Sequence, residues 1–129
     1  MSIRIVQLGS ARRRGEGVRL GTVRRPPRGI RKTQYAKQNW FDVWLPNLSP
    51  SAALMRSTTI SEDRTGWPRF ERRFTAELRR PESSHLLDTL AALSRVVNFS
   101  VGCYCQDERH CHRSILRREL KKRGARIFD

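Results

Sequence analysis

The chain is predicted to be one α/β domain, residues 1–129, with a mainly parallel sheet flanked by helices. Three observations carry that expectation. A length of 129 residues suits a single core of moderate size. Apolar residues alternate in some segments and recur every four in others. The last third runs strand, loop, helix and strand with short connections, which implies a right-handed crossover to a parallel neighbour.

Taken in order, Ile3 to Leu8 alternates apolar and polar residues before Gly9 and reads as a strand. Ala11 to Gly17 is a basic loop, and Arg12-Arg13-Arg14 within it is a candidate phosphate-contacting arm. Val18 to Val23 resumes a strand pattern. It ends at Arg24-Arg25-Pro26-Pro27-Arg28-Gly29, where two prolines exclude further ladder pairing. The three arginines beside this rigid turn, Arg24, Arg25 and Arg28, are candidate anion contacts.

Tyr35 to Leu45 is expected to be helical, with Trp40, Phe41 and Trp44 on one side and Pro46 as its stop. Ser49-Pro50 looks like an N-cap and first helical position of a short helix through Met55. Residues 57–66 are polar and turn-like. Trp67-Pro68 opens a helix whose Phe70, Phe74 and Leu78 form an apolar stripe. Pro81 separates it from another helix carrying Leu86, Leu87, Leu90 and Leu93. Val96 to Cys103 is strand-like, about Cys111 to Arg123 is a basic helix capped by Gly124, and Ala125 to Phe128 is a short strand.

Charge and cysteine usage narrow the function. The formal net charge of +15 favours polyanions or small anionic ligands, nucleic acid being the usual partner of such a surface. Only four of the 27 basic residues are lysines, a skew that suits bidentate phosphate contacts and also arises from coding bias. No run approaches the roughly 20 apolar residues of a membrane span. Met1 to Ser10 lacks a signal-peptide pattern, so a cytoplasmic location and no membrane partner are expected. All three cysteines fall between positions 103 and 111, which fits free thiols, redox chemistry or a metal better than stapling disulfides.

The junction Cys103-Tyr104-Cys105-Gln106-Asp107-Glu108-Arg109-His110-Cys111-His112-Arg113 is the expected functional centre. Ligands of parallel sheets collect where strands end and helices begin, and unpaired N–H groups at a helix start favour anions. Thiols near a helix N-terminus and beside Arg and His should be more acidic than usual. Cys103, Cys105 and His112 are therefore candidate catalytic groups, as thiolates and proton carrier or orienter. Arg24, Arg28, Arg109, Arg113 and Ser114 are candidate anion contacts. Cys103, Cys105, Cys111 and His110 or His112 also offer enough soft ligands for tetrahedral zinc. Cys103 and Arg109 match the Cys-x5-Arg spacing of cysteine phosphatases, but the loop has no glycine to aim several N–H groups inward. The plain alternative keeps the thiols as half-buried small hydrophobes. His85 is expected at the surface. No cofactor is specified.

Gly102-Cys103-Tyr104-Cys105 followed by Cys111-His112-Arg113-Ser114-Ile115-Leu116 resembles the Cys-His-Arg signature of the YeaO-like family, domain of unknown function 488. Val23 to Ile30, Trp44-Leu45 to Ser49-Pro50-Ser51, and Trp67…Phe70…Phe74…Glu77-Leu78 resemble its other motifs in order. The resemblance implies a compact three-layer α/β domain and names no single reaction. Many relatives carry Asp where this chain has Val23, so any role of that acid is absent or relocated here. The possible functions are an enzyme acting on a phosphate-bearing or nucleotide-like substrate, a non-catalytic nucleic-acid-binding module, and a metal-stabilised structural protein.

Overall fold

The computed structural model describes residues 1–56, 66–106 and 111–128. Four parallel strands, β1 (Ile3–Gln7), β2 (Val18–Gly21), β3 (Val43–Trp44) and β4 (Phe99–Cys103), form one sheet in the order β1-β4-β2-β3. β4 sits between two parallel neighbours, and all five of its residues are buried, as its near-continuous apolar and small composition requires. Register places Gln7 beside Cys103 and Gly21 beside Gly102, so these strands end together at one edge of the sheet.

Four helices follow: α1 (Ala52–Arg56), α2 (Gly66–Leu78), α3 (Pro81–Leu93) and α4 (His112–Lys122). Their apolar stripes meet Ile3, Leu20, Phe99 and Val101 of the sheet in one core, with Phe70, Phe74, Leu87, Ile115, Leu116 and Leu120 among its members. Burying each such side chain contributes about 1.5–3 kcal/mol, so this face dominates the stability. No described helix is long and apolar enough to cross a membrane.

The other face of the sheet is covered by irregular chain instead of helices. Arg19 on β2 and its register partner Ser100 on β4 point there. The fully buried Arg19 guanidinium donates to both carboxylate oxygens of Glu16 at 2.8 and 3.0 Å, and to the carbonyls of Ser10 and Asn39 at 2.9 and 2.8 Å. Ser100 Oγ donates to the same carboxylate at 2.8 Å. Burial alone would raise the Glu16 pKa, but these donors and the Arg13 N–H hold it at about 2.

Several elements differ from the sequence expectation. Residues 35–45 are not a helix: a short 3-10 turn at Lys32–Gln34 precedes the segment, which then holds a left-handed Asn39 at φ 63° and β3. Its aromatics do not share one stripe. Trp40 meets Tyr104, Phe41 meets Tyr35, and Trp44 Nε1 donates to the Val23 carbonyl at 2.7 Å. Tertiary pairing of Asp42 N–H with the Arg19 carbonyl overrides the helical spacing.

The cap of α1 is Ser51, whose Oγ accepts from the Leu54 N–H, and not Ser49. β4 begins at Phe99, leaving Val96 and Val97 exposed. The terminal strand reduces to a single parallel bridge between Ile127 and Ile3. The polar stretch 57–65 lies outside the described residues, as do Asp107, Glu108, Arg109 and His110.

Candidate functional site

β4 delivers Cys103 to the end of the sheet, and the chain returns at Cys111 to start α4. Cys103 and Cys111 are buried beside Leu8, Val23 and Phe41, with their sulfurs 2.7 Å apart. The strand stops at Cys103, so Cys105 escapes the sheet and is exposed, and Tyr104 beside it is exposed too. All three cysteines are free thiols.

The three thiols share hydrogen bonds, and this sets their acidities. Cys103 is pushed far up by its bonds to Cys105 and Cys111 and by burial, so it keeps its proton and donates. Hydrogen bonds from Cys103 and Cys111, with the Arg113 charge, outweigh burial and bring the Cys105 thiol from 9.0 to about 3. Cys111 is lowered chiefly by its bond from Cys103, with His112 also contributing. Cys105 and Cys111 are thus held more acidic than Cys103, and of the two Cys105 is the exposed residue.

His112, the first residue of α4, has its ring placed by Thr22 just past β2. Its Nε2 lies 2.7 Å from the Thr22 carbonyl oxygen. A carbonyl only accepts, so Nε2 carries a proton and donates to it, which leaves Nδ1 facing Cys111 Sγ at 3.8 Å. Thr22 is itself fixed by its hydroxyl donating to the Gly102 carbonyl at 2.9 Å. The Phe74 ring meets the imidazole edge to face at 5.7 Å. The donor atoms of Cys103, Cys111 and His112 lie within 4.8 Å of one another, so these three residues could hold a soft divalent cation.

The expected anion contacts divide. Arg113 is 3% exposed, and its Nη2 donates to the Cys105 carbonyl at 2.5 Å, so it supports the thiol loop from behind. Its Nε has no partner among the described residues. Ser114 Oγ donates back to the Cys111 carbonyl at 2.9 Å within the first turn of the helix, so its hydroxyl is used internally. Arg24 lines the cavity at the thiols, but its guanidinium donates to the carbonyls of Pro46, Ser49 and Pro50. Arg28 is exposed in the adjoining cavity, and Arg109 lies outside the described residues. His85 is exposed on α3, as expected.

That first cavity has a volume of about 410 Å³. Val23, Pro50, Ala52 and Met55 give it apolar walls, and Arg24, Arg25 and Arg56 give it cations. Cys103, Tyr104, Cys105 and His112 complete it. Sequence reasoning missed Thr22, Met55 and Arg56, and gave Tyr104 no role of its own. The one available signal was the position of Thr22 just after a strand of the sheet.

A family model described as "Active DUF488-N3 subclade" matches residues 3–124. No curated protein and no solved structure gives a significant match.

Proposed function

The chain belongs to the DUF488 (YeaO-like) family, in a subclade described as active, and from that premise we propose a thiol-dependent enzyme acting on a phosphate-bearing, nucleotide-like anion. The observation that carries this reading is the position of Cys105. It is the exposed thiol of the three, and it lines a cavity that also holds Arg24, Arg25 and Arg56. An apolar wall beside cations suits a ligand with a flat apolar body and an anionic group.

In this reading Cys105 is the nucleophile. Cys103 keeps a proton and donates it as a hydrogen bond to Cys105, while Cys111 is held between Cys103 and His112. His112 is a positioning residue, since its Nδ1 faces Cys111. Arg113 holds the Cys105 backbone and adds positive charge near the sulfur. Arg25 and Arg56 bind the anion, with Arg24 shaping the wall that they share.

The test is protection from alkylation. Adenosine 5′-monophosphate should slow iodoacetamide modification of Cys105, read by peptide mass spectrometry, and adenosine at the same concentration should not. Equal protection by both, or none by either, removes the anion from the account. A zinc-bound native mass, together with a Cys105 that reacts no faster than a peptide thiol, would overturn the thiolate role and favour a metal on Cys103, Cys111 and His112.

A further inference from the structure

We infer that the substrate of this site is a single-stranded nucleic acid, whose neighbouring base stacks on Trp40 and Tyr104 while one nucleotide occupies the thiol cavity. The inference rests on the reading above and names the substrate class of the same site.

A second cavity of about 390 Å³ adjoins the first. Arg25 and Tyr104 line both, so the two lie side by side, and the inferred ligand spans them across these residues. In the second, Trp40 and Tyr104 meet edge to face with centroids 5.9 Å apart, beside Arg25 and Arg28. Tyr104 is 38% exposed and Trp40 is half-buried, so the pair offers ring surface to a visitor.

The platform is held in place. The Tyr104 hydroxyl donates to the Arg25 carbonyl at 2.9 Å, and Gln7 Nε2 donates to the Tyr104 carbonyl at 3.2 Å. Trp40 packs on Gly9, where an added Cβ would stand 3.0 Å from the indole. A fixed aromatic surface loses little freedom on stacking.

Neither Arg25 nor Arg28 has a carboxylate partner among the described residues, so both guanidinium groups are available to phosphates. A third, basic groove of about 1110 Å³ is lined by Gln7, Ser10, Arg12, Arg13 and Arg14, among others. Gln7 thus links that groove to Tyr104 and extends the cationic track past one nucleotide. With a net charge of +15, the chain has the charge complement of a polymer.

Two adjacent subsites sharing one arginine match a base, a phosphate and a second base. Aromatic platforms beside a basic track are how unpaired strands are held, because every base has a face to stack. A duplex keeps those faces covered by its own stack. A mononucleotide would leave Trp40 and Tyr104 unused.

The experiment is fluorescence anisotropy with labelled oligothymidylate and oligouridylate, set against a duplex and adenosine 5′-monophosphate as competitors. Single strands should bind more tightly than either competitor, and the difference between the two labels tells DNA from RNA. Trp40→Leu and Tyr104→Ala should each weaken binding about 5- to 150-fold, as loss of one stacked base would. Tyr104→Phe keeps the ring and should retain binding, which separates stacking from damage to the fold. Arg28→Ala should lower the salt dependence by about one phosphate contact.

A duplex that binds as well as the single strand, or an aromatic variant with unchanged affinity, overturns the inference. If single strands fail while adenosine 5′-monophosphate still protects Cys105, the substrate class falls and the thiol-anion site stands. If both fail, both readings fall.

Discussion

The His112 imidazole donates through Nε2 to the Thr22 carbonyl at 2.7 Å, and this one contact determines which nitrogen faces the thiols. It ties the first residue of α4 to the end of β2 and so joins the two ends of the thiol cluster through the sheet. Nδ1 is left facing Cys111 at 3.8 Å.

That arrangement predicts a proton on Nε2. Nitrogen-resolved NMR of His112 should show Nε2 protonated and hydrogen-bonded. A bare Nε2 would mean that the Thr22 contact is absent in solution, and the orientation of the cluster would have to be redrawn.

The buried pair on the far face predicts an acid-sensitive fold. The Glu16 pKa is depressed from 4.5 to about 2, so its stabilising contribution is complete above 4.5 and is lost as pH falls toward about 2. Glu16→Gln leaves Arg19 buried without its counter-charge and should cost about 3–5 kcal/mol at neutral pH. Urea unfolding at several pH values checks both points: the wild type loses stability through that window, and the variant does so much less.

Much of this was legible beforehand and some was not. Helices α2 and α3 and the strand-to-helix junction were readable because Phe70, Phe74 and Leu78 keep helical spacing and β4 is built of apolar and small residues. The segment carrying Trp40, Phe41 and Trp44 was misread, because its conformation is set by Asn39 at positive φ and by pairing to β2, neither of which spacing reports. The convergence of the cysteines and His112 at the junction was readable, but the partners of each side chain there were not. Arg113 looked like a ligand contact by composition, and only the return of the chain turns its guanidinium toward the Cys105 carbonyl. Glu16 looked like one acid in a basic loop, and only the fold supplies Arg19 and Ser100.

Arg113 gives a prediction of its own. Arg113→Met keeps the apolar volume but removes both the donor to the Cys105 carbonyl and the nearby positive charge. Stability should fall by about 1 kcal/mol, the net worth of one hydrogen bond. The Cys105 thiol should become less acidic, so alkylation at about pH 5 should slow more than alkylation at about pH 9, where even an ordinary thiol is about half ionised. Equal slowing at both would show that Arg113 acts on structure alone.

The pH dependence of Cys105 alkylation tests the central claim most directly. An ordinary thiol with pKa near 9.0 gains reactivity about tenfold per pH unit as it ionises. With its thiol near 3, Cys105 should react with iodoacetamide at a rate that barely changes from about pH 5 to 8, faster at the acid end than any unstructured cysteine. A rate that climbs steadily through that range, matching a cysteine in a short peptide, would contradict a thiolate held by Cys103, Cys111 and Arg113.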